Sequence, residues 1–420
     1  MTVSTPTIPL PFPLELLPQP AYLVGGAVRD WLLGRTVGPI LDIDLVVERD
    51  AIAYASGLAK QLGGGFVVLD DARHISRIVL ENATIDIAQQ AGHTVEDDLA
   101  LRDFTCNAIA LELHTDRWID PLNGRQDVRD RQLRMVHPDN LTADPLRLLR
   151  GYRQAAQLEF SLTEDTRQAT AQRHHLLKTV AAERVRTELH YLLELGDNGL
   201  NWLKAAWEDR QLTDWLPELE PTSFQTAAQL PNALTFLQEH HPASYDRLKQ
   251  PICDRRSGIA TIFFAVLFLH ISSDRLNAIM QRLKYSRIEQ QWGDRIATLV
   301  PKLIGDRSTD YSYEKSSRSN LLQLFESAGK AFPAVALAAL AAGVSVSDIA
   351  PLLSRYENSQ DPLAHQVPLI DGRHLIQSLN LKSSPTIGLL LKELKLAQAD
   401  CLISTQEEAI EYAQEWLEKQ

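Results

Sequence analysis

The sequence predicts an α+β fold, in which a small mixed sheet near the N-terminus is followed by a long remainder that is all helix. Three observations predict it. Short runs rich in β-branched residues crowd before residue 90, at 21–24, 41–45, 66–69, 75–80 and 84–88, with one helical stretch, Ala51–Leu62, between the second and third. From residue 198 onward the apolar spacing is mostly helical, with segments around 224–239, 259–270 and 331–342 and a terminal pair. A chain of 420 residues also exceeds one ordinary domain, so two to four domains are expected.

Composition narrows the class. Hydrophobic residues at 45% and charged residues at 23% are the proportions of a globular protein with ample core. No apolar run approaches the length of a membrane span, and the start of the chain carries prolines rather than a basic stretch before an apolar core. These features point to the cytoplasm and away from a membrane partner. Cys106, Cys253 and Cys401 lie far apart, which excludes a disulfide framework and a zinc knuckle and leaves them as small buried residues. A net charge of −12 excludes a protein that coats nucleic acid nonspecifically. A local track for RNA stays open, because residues 102–186 hold 14 basic residues, 13 of them Arg, against 12 acidic ones.

Residues 1–20 are proline-rich and read as a loose lead-in. Next, 21–24 reads as a short buried strand, Gly25 and Gly26 as a turn, and 27–33 as a helix whose first turn can face phosphate. In the following strand Asp42 and Asp44 stand two residues apart. Period-2 geometry turns both carboxylates to one face and Leu41, Ile43 and Leu45 to the other. A divalent cation is the usual reason to tolerate such a pair, and two of them make a nucleotidyl-transfer site. Taken singly, the Gly-Gly is a turn and the Asp-x-Asp a solvated strand face. Taken in order, with Arg29 between them, they resemble the signature of class II tRNA nucleotidyltransferases, the CCA-adding enzymes, and bacterial poly(A) polymerases.

That resemblance implies a nucleotidyltransferase head followed by helical neck, body and tail, with boundaries at 21–124, 125–200, 201–320 and 321–420. It implies that Asp42 and Asp44 are catalytic and hold Mg²⁺, and that Gly25, Gly26 and Arg29 cradle a nucleotide triphosphate. Asp86, on the strand at 84–88, is either a third carboxylate for the metal ions or an ordinary strand-edge Asp. The implied partners are tRNA and CTP, with ATP as a further candidate.

Residues 98–108 resemble the family's Arg-Arg-Asp motif with its Phe-Thr-x-Asn-Ala tail, which contacts the nucleotide's ribose and triphosphate. Leu101 stands in place of the first Arg, so Arg102, Asp103 and Asn107 carry the likeness. Without that tail, Arg102 and Asp103 read as a surface pair worth under about 1 kcal/mol. Sixteen residues separate Asp86 from Asp103. Family members that add the final adenosine carry a longer flexible loop there, so the short connection resembles the CC-adding subgroup. The run from Asp120 to Gly124 resembles the family's Asp-x-x-x-Gly hinge, and by itself is a turn.

Asp144 and Pro145 read as N-cap and first residue of a helix. Along it, Arg147, Arg150 and Arg153 trace a stripe on one face while Leu146, Leu148 and Leu149 pack inward. Three guanidiniums in a row need anions, and a triphosphate with an RNA 3′ end supplies them. The stretch resembles the Glu-Asp-x-x-Arg motif, in which Asp and Arg read the base edge. Asp144 and Arg147 are then the template, Arg150 and Arg153 neutralise phosphate, and Ala143 replaces the usual Glu. A carboxylate accepting from the exocyclic amine of C or A selects those bases, since G and U carry a carbonyl at that position. Glu183 and Arg184 resemble a later Glu-Arg motif that braces the template helix, and equally fit a salt-bridged helix. Residues 369–373 and 385–394 resemble the tail that grips the tRNA elbow in CCA-adding enzymes, Gly372 and Gly388 otherwise being turn and helix-start residues. The pairs His174-His175 and His240-His241 read as surface, and 308–319 as a polar linker.

Overall fold

The computed structural model describes residues 10–35, 41–253, 256–305, 317–382 and 384–418. Residues 1–9 of the expected lead-in and most of the polar linker at 308–319 lie outside them. The chain divides into two compact units, residues 1–188 with 201–215, and residues 189–200 with 216–420.

The first unit is built on a seven-stranded sheet. Its elements run β1 (Ala21–Val24), α1 (Gly26–Leu32), β2 (Leu41–Val47), α2 (Ala51–Leu62), β3 (Gly65–Asp70), β4 (Ile75–Val79), β5 (Ala83–Gln89), α3 (Val95–Leu99), β6 (Ala110–Glu112) and β7 (Arg117–Ile119). The spatial order is β3-β4-β5-β2-β1-β6-β7. Only β2 and β5 pair in parallel, so the sheet is mixed, as the sequence predicts. Its two last strands, three residues each, escape a sequence reading because so short a run has no measurable period.

Alternation along β2 sorts its side chains. Ile43, Leu45 and Val47 enter a core with Leu23, Ile78, Ile85, Ile87 and the inner face of α2. Asp42, Asp44 and Val46 take the opposite face, where Val46 packs with Val24, Val95 and Leu99. The strand is therefore held by apolar burial on one side and carries its carboxylates at one end of the other. Helices α4 (Gly124–Arg129), α5 (Pro138–Ala143), α6 (Leu146–Leu158) and α7 (Glu164–Arg173) follow, and α8 (Ala182–Leu193) begins in this unit. The inner face of α6 sends Ala155 and Leu158 into the same core as β2. Helix α6 starts later than the sequence suggests: Asp144 ends α5 in an extended conformation, and Pro145 is the residue before the helix. Asp144 still caps, since its Oδ1 accepts from the Leu146 amide at 3.3 Å.

The second unit is mainly helical, with a two-stranded ribbon at Pro251–Cys253 and Arg256–Ser257. The stretch Arg318–Ala341 is, by length and composition, apolar enough to cross a membrane, contrary to the sequence expectation. It is broken by a 3-10 turn at Gly329–Ala331, and 67% of its most apolar part is buried. Residues 370–413 form a small separate core of Ile370, Leu375, Ile387, Leu390, Leu394 and Ile403. His241 is not a surface residue: it is 5% exposed, with Nδ1 3.0 Å from Glu357 Oε2. Of the cysteines only Cys106 is buried, while Cys401 is exposed.

Candidate active site

The glycine turn and the carboxylate strand meet at Gly25. Its φ of +73° is one that only glycine adopts readily, and a Cβ there would lie 2.8 Å from Asp44 Oδ2 and 3.3 Å from Arg102 Nη1. Backbone, carboxylate and guanidinium thus converge within one van der Waals layer. Register supports the same grouping, with Asp44 opposite Val24 on β1 and opposite Asp86 on β5. Asp42 accepts a hydrogen bond from Thr84 Oγ1 at 2.7 Å.

Burial pushes the Asp44 carboxyl up to about 6, Arg102 pulls it down, and the neighbouring Asp42 and Asp86 push it up again. The pair is short of positive charge, and its oxygen donors suit a hard divalent cation. Asp86 is differently placed. Arg77 takes both its oxygens, at 2.7 and 2.8 Å, and among the described residues no three His, Cys, Asp or Glu side chains converge on a metal-sized point. In this structure Asp86 is engaged by Arg77 while standing opposite Asp44 across the β2–β5 pair.

A cavity of about 1120 Å³ opens beside the pair. Gly25, Gly26, Arg29, Asp42, Asp44, Arg102, Asp103, Asn107, Asp144, Arg147, Arg150 and Arg153 all line it, so twelve of the fifteen residues singled out in the sequence come together. Asp86, Glu183 and Arg184 do not line it.

Behind the cavity runs a buried polar network. Arg29 Nη1 donates to Asn107 Oδ1 at 2.6 Å, and Asn107 Nδ2 donates to Asp103 Oδ1 and to Gln154 Oε1, both at 2.9 Å. Asp103 also accepts from the Phe104 amide at 2.7 Å and lies 3.5 Å from Arg150 Nη1. Although burial opposes it, Arg150 and these hydrogen bonds hold the Asp103 carboxyl below the usual carboxylate range. Arg102 is held by Asp98, 3.2 Å away. The hinge motif is joined to this layer: Asp120 caps α4 by accepting from the Gly124 and Arg125 amides, and a Cβ on Gly124 would lie 2.1 Å from the Thr105 carbonyl oxygen. Glycine is needed there for close approach to the turn that carries Asn107.

The arginine stripe of α6 has protein partners that the sequence reading did not assign. Arg150 and Arg153 both bond Glu188, 5% exposed on α8. Arg147 Nη1 donates to the carbonyls of Leu101 at 2.8 Å and Asn140 at 3.2 Å. Arg184 Nη2 donates to Asp144 Oδ2 at 3.0 Å, whereas Glu183 is exposed. A signal for Glu188 existed: it falls with Val185, Leu189 and Leu192 on the buried stripe of α8, where a carboxylate requires a partner.

Comparison with known proteins agrees with this architecture. A family model described as "Poly A polymerase head domain" matches residues 21–134, and one described as "Probable RNA and SrmB- binding site of polymerase A" matches residues 159–222. The chain is 42% identical to a CC-adding tRNA nucleotidyltransferase of Synechocystis over 97% of this chain and 96% of that one. It is 32% identical to an A-adding tRNA nucleotidyltransferase of Deinococcus radiodurans, covering 97% of this chain and 98% of that one. The solved structure of a CCA-adding enzyme with CTP shares the fold, with a TM-score of 0.71 at 24% identity over 95% of this chain and 91% of that one. The chain belongs to the family of tRNA nucleotidyltransferases and poly(A) polymerases. It is a nucleotidyltransferase of the CCA type, and its family works with divalent metal ions.

Proposed function

We propose that this chain adds two CMP residues from CTP to the 3′ end of tRNA, releasing pyrophosphate each time, and leaves the terminal adenosine to another activity. The observation that carries the reading is the connection from Asp86 to Asp103. After β5 it holds a tight turn and α3, whose start is closed by a capping box between Thr94 and Asp97, so it has no span for the longer loop of adenosine-adding relatives. The Synechocystis relative named CC-adding supports the same reading.

Asp42 and Asp44 are the residues that would hold two Mg²⁺ ions. When bound, the ions activate the 3′-hydroxyl for in-line attack on the α-phosphate and neutralise the triphosphate. The Gly25-Gly26 turn and Arg29 cradle the triphosphate, and Arg102, oriented by Asp98, supports it. Asp144 accepts from the exocyclic amine of cytosine. Arg147, whose Nε and Nη2 have no partner among the described residues, donates to the base's ring nitrogen and carbonyl. Arg184 braces Asp144, Glu188 spaces Arg150 and Arg153 for phosphate, and Glu183 is peripheral to both. Asp103 and Asn107 orient Arg150 and Arg29. Asp86 acts on the pair through its charge and through Arg77. Residues 125–200, 201–320 and 321–420 serve as neck, body and tRNA-binding tail.

The test is to incubate the protein and Mg²⁺ with tRNA ending at its discriminator base and all four nucleotides, then sequence the 3′ ends. Ends in CC support the reading. Ends in CCA mean a full CCA-adding enzyme, A tails mean a poly(A) polymerase, and unchanged ends mean a catalytically silent RNA-binding relative.

A further inference from the structure

Gln154 stands out among the cavity residues because half of its amide is used and half is not. It is 7% exposed, it lines the cavity, and its Oε1 accepts from Asn107 Nδ2. The orientation of the amide is chemically forced. Asn107 Oδ1 accepts from the Arg29 cation, so Asn107 must present its NH₂ group elsewhere, and the Asp103 carboxylate can only accept. One N–H of Asn107 goes to Asp103 and the other requires an oxygen from Gln154. Gln154 Nε2 is left with no hydrogen-bond partner among the described residues.

Gln154 Nε2 opens onto the cavity rather than into the core, so an acceptor that arrives with a ligand can take it up. Its position indicates which. Gln154 follows Arg147 by seven residues on α6, about 10 Å along the axis at 1.5 Å per residue. Base-reading Asp144 and Arg147 are at one end of that span. At the other, Gln154 sits against Asn107, whose Oδ1 accepts from Arg29, with Arg150 and Arg153 on the same helix as Gln154.

Resting on the nucleotide-binding reading given above, we infer that Gln154 is a binding residue for the incoming nucleotide, its Nε2 donating to a non-bridging oxygen of the polyphosphate. It also joins α6 to the Asn107 turn, so polyphosphate binding and alignment of the base-reading helix pass through one amide.

Inorganic tripolyphosphate isolates this contact from base recognition. Its affinity in Mg²⁺ is measured by calorimetry for the wild type, Gln154→Glu and Gln154→Leu. Glu keeps an oxygen for Asn107 but turns an anion toward the polyphosphate, so it should weaken tripolyphosphate about tenfold and raise the KM for CTP alike, leaving the KM for tRNA unchanged. Leu removes the donor without adding charge and should weaken tripolyphosphate about threefold to tenfold. Should Gln154→Glu not fold, Gln154→Leu decides. Wild-type tripolyphosphate affinity in the folded variants overturns the inference, even where kcat falls, since Gln154 would then only support Asn107. A wild type that binds tripolyphosphate through Gln154 but transfers no CMP to tRNA contradicts the functional reading instead.

Discussion

Arg184 Nη2 lies 3.0 Å from Asp144 Oδ2, across 40 residues of chain, and fixes the carboxylate that faces the cavity from the end of α5. Arg184 is 52% exposed, so the ion pair is worth under about 1 kcal/mol to stability. Its effect is on orientation. Arg184→Ala should lower the preference for CTP over UTP about tenfold, while the melting temperature stays within about 2 °C. Competition between labelled CTP and UTP reads the first and a thermal melt the second; unchanged preference would detach Arg184 from base selection.

Glu188 is 5% exposed and the shared partner of Arg150 and Arg153. Removing its charge takes from both guanidiniums the buried carboxylate they share. Glu188→Gln should destabilise the first unit by about 3 kcal/mol, the low end for a broken buried pair because Arg150 is 39% exposed. Urea unfolding measures it, and a loss below about 1 kcal/mol would show that the arginines are compensated without Glu188.

Asp44→Asn should abolish transfer and leave the protein folded. A bound metal supplies several kcal/mol of charge stabilisation, and each 1.36 kcal/mol is a factor of ten, so the loss is roughly a thousandfold or more. Without divalent metal the variant should melt no lower than the wild type, because Asp42 and Asp86 no longer repel it. CMP incorporation near the wild-type rate would remove Asp44 from the metal site.

The second unit gives a test by acid. Burial would raise the Glu289 carboxyl, but hydrogen bonds from Arg256 and Ser286 outweigh it and hold it below its ordinary value of 4.5. A carboxylate depressed on folding contributes stability above its unfolded pKa and loses it as pH falls through the folded one. Wild type should therefore melt well above Glu289→Gln at pH 7, and the gap should narrow below pH 4.5. A gap independent of pH would exclude the ion pair as its source.

What the sequence disclosed and withheld follows from the range of each interaction. Asp42 and Asp44 were legible because a period of two is local and both faces of β2 obey it. The Arg147, Arg150 and Arg153 stripe was legible for the same reason, but its anions were not. Glu188 lies 35 residues from Arg153, and Gln154 lies 47 from Asn107. Nothing in a local pattern joins residues at that separation. Asp86 shows the converse: its strand was readable and its role stayed open between two readings, while its capture by Arg77 depends on how β4 pairs with β5.

Whether this chain stops after the second cytidine is read by offering labelled ATP, with Mg²⁺, to a tRNA that already ends in CC, beside a control in which CTP is offered to tRNA lacking both cytidines. The short connection between Asp86 and Asp103 predicts two cytidines on the control and no adenosine on the first tRNA. Addition of adenosine to the CC end would contradict it.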